Sequence, residues 1–210
     1  MLLLAKYGWK ELILFSLLWI ALGAGLWFAH PAAAAVPALG LLFTISFFRD
    51  PIRRIPTGEN LLVSPADGTV TDITEVHEDE FLKAPCTKIG IFLSVFNVHV
   101  NRSPCDGTVR EVKYRPGKFL DARDPRCGAE NESNSIHIGS VLVKQIAGLI
   151  ARRIVCEAKP NETLARGQKF GMIKFGSRTE LYIPKDQVAE ISVKLKDKVK
   201  GGKTVIARTR

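Results

Sequence analysis

Three short stretches of this 210-residue chain carry residue types that could perform covalent chemistry: Gly176-Ser177, His99 and Asp67. The first is a dipeptide between two apolar runs, within Met172-Ile173-Lys174-Phe175-Gly176-Ser177-Arg178-Thr179-Glu180. It is not a G-x-S-x-G nucleophile elbow, because glycine directly precedes the serine and Thr179 takes the second glycine's place; an α/β-hydrolase is disfavoured. Taken alone, Gly-Ser is a common turn. Beside a base it can also rearrange, the Ser177 hydroxyl attacking the Gly176 carbonyl so that the peptide becomes an ester. Glycine suits that step because it has no Cβ to hinder attack and tolerates unusual backbone geometry. His99 lies in Phe96-Asn97-Val98-His99-Val100-Asn101-Arg102. Strand alternation predicts Asn97, His99 and Asn101 on one face and Val98 and Val100 on the other. A histidine there is either a general acid-base group or a hydrogen-bonded strand residue.

Asp67 belongs to Ser64-Pro65-Ala66-Asp67-Gly68-Thr69-Val70, which Ser103-Pro104-Cys105-Asp106-Gly107-Thr108-Val109 repeats at six of seven positions. Asp-Gly before a β-branched run is an ordinary turn-to-strand signal, so the repeat alone names no enzyme. His77 reads as solvated surface in an acidic stretch, His137 alternates with Ile136 and Ile138, and His30 falls between two apolar runs. No metal-ligand spacing is present. Cys86, Cys105, Cys127 and Cys156 lie too far apart for a zinc ribbon or a redox pair, and suggest no disulfide framework.

The elements that must position these groups divide the chain in two. Only Lys6, Lys10 and Glu11 are charged in the first 48 residues, so residues 49–210 hold 28 basic and 20 acidic groups, a formal +8. Residues 12–29 contain no charge and as a helix would cover roughly 27 Å, close to the bilayer's hydrocarbon thickness. A second uncharged stretch, residues 32–48, follows His30-Pro31, so the two helices must be antiparallel. Lys6 and Lys10 flank one end and Arg49, Arg53 and Arg54 the other, while the connection has no Lys or Arg; both ends are expected in the cytoplasm. A cleaved signal peptide fits less well, since a second apolar segment would be left behind; a re-entrant or interfacial hairpin is an alternative.

From residue 49 onward short apolar runs alternate with period two between Pro, Gly, Asn and Asp: residues 69–74, 88–100, 108–114, 135–143, 149–158, 172–175, 180–183 and 190–195. The expected fold is mainly β, an antiparallel sandwich or barrel-like domain (49–210) with few helices, preceded by a transmembrane or re-entrant helical hairpin (1–48). No aromatic-basic RNA motif or helix-turn-helix pattern appears, so nucleic acid is not the expected partner. The positive domain is suited to an anionic membrane leaflet, each nearby Lys or Arg adding about 1 kcal/mol of attraction.

With the apolar hairpin, Phe47-Phe48-Arg49-Asp50-Pro51, Ser64-Pro65-Ala66-Asp67-Gly68, Phe96-Asn97-Val98-His99-Val100-Asn101-Arg102 and Phe175-Gly176-Ser177 in this order, the sequence resembles the phosphatidylserine decarboxylase family in its short bacterial or archaeal form. Gln145-Ile146-Ala147-Gly148 and Gly201-Gly202-Lys203-Thr204 add to the resemblance, which covers nearly the whole chain. It implies a proenzyme that cuts itself between Gly176 and Ser177 into a β chain (1–176) and an α chain (177–210), Ser177 becoming a covalent pyruvoyl cofactor. That group would form a Schiff base with the amine of phosphatidylserine, and loss of carbon dioxide would give phosphatidylethanolamine. The family's self-cleavage triad implies Ser177, His99 as base and Asp67 orienting it. Many long-form members carry two histidines three apart here; this chain has His99 and then Arg102, so His99 serves both cleavage and decarboxylation or shares them. Arg102, Arg49, Arg53 and Arg54 are the expected contacts to an anionic phospholipid held at the membrane.

An archaetidylserine decarboxylase, a non-catalytic membrane-tethered β module and a serine hydrolase with intact Ser177 are the rival readings. A homo-oligomer is left open. The expected location is the cell membrane, with the catalytic domain on its cytoplasmic side.

Overall fold

The computed structural model describes residues 3–149, 153–174 and 176–210, so the expected strand at 149–158 and the Phe175 position of the Gly-Ser motif lie partly outside the described residues. The chain separates into two compact units, Met1–Ile52 and Arg53–Arg210.

The first unit is an antiparallel helical hairpin. Helix α1 (Trp9–Ala29) is built from Leu, Ile, Ala and Trp, and ends where His30 turns extended before Pro31, whose ring cannot continue the helix. Helix α2 (Ala35–Phe47) packs back along it: Trp19 Nε1 donates to Thr44 Oγ1 (3.1 Å), and a Cβ at Gly40 would lie 2.6 Å from the Trp19 ring. The two ends are sewn together by Ala5 N–H to Phe48 O (2.8 Å) and Asp50 N–H to Leu3 O (2.6 Å). Alpha-helical rise gives α1 about 31 Å, enough to cross a hydrocarbon core, and α2 about 20 Å, which is not. No residue of α1 is buried, and Leu14, Leu17, Leu18 and Phe28 stand exposed. A helix apolar on all sides requires a non-aqueous cover.

The second unit is mainly β. Its strands are β1 (Leu61–Val63), β2 (Gly68–Glu78), β3 (Ala84–Leu93), β4 (Val100–Arg102), β5 (Gly107–Arg115), β6 (Ser133–Ile138), β7 (Val141–Ile146), β8 (Ile154–Cys156), β9 (Thr163–Leu164), β10 (Lys169–Ile173), β11 (Ser177–Pro184), β12 (Val188–Ile191), β13 (Lys198–Val199) and β14 (Val205–Thr209); a short helical turn, α3 (Cys127–Glu130), and a 3₁₀ turn, Lys185–Gln187, interrupt them. An eight-stranded curled antiparallel sheet runs β13-β2-β3-β11-β7-β6-β5-β9, beside three-stranded sheets β1-β14-β12 and β4-β10-β8. The core lies between them, around Ile89, Ile91, Leu93, Val143, Phe170 and Leu181. β11, the strand that opens with Ser177, is central: β3 and β7 cover its two edges.

Two expected strands are divided in the structure. The run 135–143 folds into the β6–β7 hairpin, because Gly139 takes φ +58° in its two-residue turn. The run 88–100 stops at Leu93. There the Asn97 side chain accepts from Ser94 N–H and Ser94 Oγ (both 2.8 Å), and Asn97 N–H donates to Ser94 O (2.9 Å), closing a turn that competes with the ladder. The alternation argument across residues 97–101 therefore fails; His99 and Asn101 are both fully buried.

Candidate active site

Ser177 begins β11 opposite Leu93 and is fully buried, and its Oγ has no hydrogen-bond partner among the described residues. A buried hydroxyl left unsatisfied costs about 1–3 kcal/mol and calls for an explanation. The preceding Gly176 has φ +65°, a conformation that L side chains rarely adopt. Its carbonyl faces Gly148, where a Cβ would stand 2.1 Å from Gly176 O. Gly176 also lines a cavity of about 350 Å³ with Phe92, Val95, Ala122 and Leu149, giving the Gly-Ser peptide access to a small, largely apolar recess.

His99 reaches this neighbourhood through β10 and β4. Its carbonyl accepts from Ile173 N–H (3.3 Å), four residues before Ser177, and β4 pairs with β10 immediately afterwards. Its Nδ1 lies 2.9 Å from Asn97 O; a carbonyl can only accept, so Nδ1 carries the proton and Nε2 is the basic nitrogen. A chain of buried amides fastens this segment to the Ser177 strand. Asn134 Nδ2 donates to Gln145 Oε1 (3.1 Å), Gln145 Nε2 to Asn101 Oδ1 (2.9 Å), and Asn101 Nδ2 to Thr179 Oγ1 (3.1 Å). Fully satisfied polar networks of this kind fix one arrangement of their strands.

Asp67 is also buried. Its Oδ1 accepts from Gly201 N–H (2.8 Å) and its Oδ2 from Arg53 Nη2 (2.7 Å). Burial raises the carboxyl above its ordinary value, against the opposing pull of Arg53, the Gly201 amide and Arg102. The Gly201-Gly202 pair thus serves this corner twice: Gly201 supplies the amide, and Gly202, at φ +72°, lies where a Cβ would meet Arg102 Cδ at 2.8 Å.

A profile of the family described as phosphatidylserine decarboxylase matches residues 41–207. The chain belongs to the phosphatidylserine decarboxylase family. It is 52% identical over 173 residues to a phosphatidylserine decarboxylase proenzyme of Carboxydothermus hydrogenoformans, covering 80% of this chain and 81% of that one. A proenzyme of the same name from Syntrophus aciditrophicus is 47% identical over 81% of this chain and 82% of its own. The proenzyme of Ralstonia nicotianae is 42% identical over 98% of this chain and 95% of its own, hairpin included. The chain is thus an enzyme precursor of the decarboxylase family, and its resemblance was legible from the ordered motifs.

Among the decarboxylase's expected phospholipid contacts, three have internal commitments. Arg53 is held by Asp67, and buried Arg102 donates from Nη1 to Gly167 O (3.1 Å). Arg49 donates to Ser46 O and Ser46 Oγ at the end of α2, while Arg54 is exposed. Gly148, Asn101, Gln145, Thr179 and the Asn97 carbonyl were not singled out for roles by sequence reasoning. Gly148 and Gln145 carried a signal as part of a family-like tetrapeptide, and Asn97 and Asn101 as part of the motif around His99; Thr179 carried none. A cleft of about 480 Å³ among Glu78, Lys88, Lys144 and Tyr182 includes none of residues 67, 99, 176 or 177.

Proposed function

We propose that this chain decarboxylates phosphatidylserine after cutting itself between Gly176 and Ser177. The carrying observation is the Ser177 hydroxyl: buried, without a hydrogen-bond partner among the described residues, and directly after a left-handed glycine whose carbonyl is pressed against Gly148. An unsatisfied donor aimed at no acceptor suits a group that is consumed by the reaction. His99 Nε2 takes the Ser177 proton; Oγ then bonds to the Gly176 carbonyl carbon and the C–N bond breaks, leaving an ester and a free amine on residue 177. Loss of the Cα proton expels the Gly176 carboxylate, and water then displaces ammonia from residue 177. Ionised Asp67, held by Arg53 and Gly201, stabilises the charge that His99 gains.

The residues present fit a pyruvoyl group at 177, since the position is fully buried and the glycine at 148 admits the neighbouring Gly176 carbonyl. Such a group supplies a ketone for the substrate amine and a sink for the electron pair released with carbon dioxide. His99, whose carbonyl is hydrogen-bonded to Ile173 four residues before Ser177, is the proton donor to the decarboxylated product carbon. The α chain, residues 177–210, stays in place after the cut because β11 is held between β3 and β7, β14 pairs with β1 and β13 with β2.

The substrate's acyl chains confine it to a bilayer, so the enzyme must work there. The all-round apolar α1 supports attachment through residues 1–48, and the flanking Lys6, Lys10, Arg49, Arg53 and Arg54 support a cytoplasmic position for the catalytic domain. Exposed Arg54 is the best placed of the four arginines for a lipid phosphate. The test is conversion of phosphatidylserine vesicles to phosphatidylethanolamine and carbon dioxide by the full chain. Activity is expected for the wild type and none for Ser177→Ala; an active Ser177→Ala variant would refute the reading.

A further inference from the structure

Beyond the triad, the residue following Ser177 makes three charged or polar side-chain contacts across the eight-stranded sheet. Along β11, Ser177, Thr179, Leu181 and Ile183 face the core with no exposure, and Arg178, Glu180 and Tyr182 take the opposite face. The Arg178 guanidinium, itself buried, donates from Nε to Glu180 Oε1 (2.9 Å), from Nη1 to Thr71 Oγ1 (3.0 Å) and from Nη2 to Asp72 Oδ2. Thr71 and Asp72 are on β2, which is not adjacent to β11; β3 lies between. The crossing passes over Gly90, which is in register with Glu180 on one side and Asp72 on the other. A Cβ there would be 2.2 Å from both Arg178 Nη2 and Asp72 Oδ2. Lys88 Nζ completes the cluster, 3.4 Å from Asp72 Oδ1. Burial alone would raise the Asp72 carboxyl, but Arg178, Thr71 and Lys88 together hold it below its ordinary value.

The three-strand tie is not needed to hold residue 177 while the chain is whole, because peptide bonds do so on both sides. After cleavage, residue 177 is a strand terminus, and termini open at low free-energy cost. We propose that Arg178 is a positioning residue for decarboxylation: its clamp across β3 keeps the newly made end of the α chain in register, so that the reactive carbonyl at 177 stays in its pocket. Charge-assisted, multi-toothed bonds are the strong and directional kind that such a role requires. Positional errors of about 1 Å at a reacting atom cost about 100-fold in rate. The proposal rests on the self-cleavage reading above.

The experiment uses the full chain in vesicles, with Arg178→Met, Arg178→Lys and Asp72→Asn, each also made in an uncleavable Ser177→Ala background. Arg178→Met is expected to be cut at 176/177 but to lose about tenfold or more in kcat with KM changed less than about twofold, and Arg178→Lys to recover part of the loss. Amide exchange at residues 178–181 is expected to rise about tenfold in the cut Met variant and little in the uncut one. Wild-type kcat in cut Arg178→Met, or equal loss of protection in cut and uncut chains, would overturn the clamp. Should the Met variant fail to fold, Asp72→Asn, at the more exposed end, is read by the same criteria. A wild type that is never cut is a different failure, recognisable by the absence of any fragment; it overturns the self-cleavage reading and the clamp with it.

Discussion

The turns at Asp67 and Asp106 are copies of one another in structure as well as in sequence. Ser64 Oγ donates to Ala66 O (2.7 Å) and Ser103 Oγ to Cys105 O (2.6 Å). Asp67 accepts from Gly201 N–H at 2.8 Å, Asp106 from Arg166 N–H at 2.9 Å. Each donor lies two residues past a two-residue strand, β13 or β9, that pairs with the start of β2 or β5. Gly202 N–H then reaches Ser64 O (2.9 Å), as Gly167 N–H reaches Ser103 O (2.8 Å). The copies even clasp one another, through Arg102 N–H to Pro65 O (3.0 Å) and Val63 N–H to Pro104 O (2.8 Å).

What differs is the surroundings. Asp67 is 8% exposed, with Arg53 on its second oxygen and Arg102 nearby, whereas Asp106 is exposed and its amide donor belongs to an arginine. Both aspartates build a turn; only Asp67 is desolvated beside two arginines. The lesson is that amide capping belongs to the fold, and that burial and charge turn one copy into a candidate catalytic group.

The comparison is broken most forcefully by matched substitutions. Asp67→Asn is expected to slow self-cleavage about 10³-fold or more, while Asp106→Asn leaves cleavage near normal and removes about 1 kcal/mol of stability. A gel time course of precursor disappearance, with denaturant melts, reads both; equal effects would mean that Asp67 is only a turn residue. Next in size is the glycine pair. Gly148→Ala places a methyl group against Gly176 O and is expected to block cleavage by about 100-fold, while Gly139→Ala, where a Cβ meets nothing closer than 3.7 Å but φ is +58°, costs only about 1 kcal/mol of stability. Arg53→Ala, which strips Asp67 of its ion pair, is expected to slow cleavage about tenfold, with Arg53→Lys in between.

The smallest effect is on acid stability, measured in a Ser177→Ala background. Because burial raises the Asp67 carboxyl, the fold takes up that proton before the unfolded chain does, so this group favours folding as pH falls. Asp72 has the opposite sign: its lowered value means stability present at neutral pH is lost as pH falls below the ordinary aspartate range and through the folded value. Stability should therefore drop more steeply with acid in Asp67→Asn than in the parent, and less steeply in Asp72→Asn.

Much of this arrangement was legible from local sequence. Period-two runs gave the β domain, charge-free length gave the hairpin, and the repeated Ser-Pro-x-Asp-Gly marked two turns. The break after Leu93 was not legible, because Asn97 folds back on Ser94 and competes with a run that otherwise reads as one strand. Nor were the partners of the site groups. Asn101 meets Thr179 across 78 positions and Gln145 across 44, and Arg53 meets Asp67. Such pairings exist only once the sheets have formed, and no spacing rule within the chain encodes them. Asp67 was separated from Asp106 by family resemblance; the structure supplies the physical difference.

The central claim, that the Gly176-Ser177 peptide is consumed to make a carbonyl at residue 177, is tested most directly by intact-mass analysis of the purified full-length chain. The account predicts two polypeptides, 1–176 and 177–210, the second with a pyruvoyl in place of Ser177 at its amino end. A single chain of unaltered mass, or a fragment that still begins with serine, would contradict it.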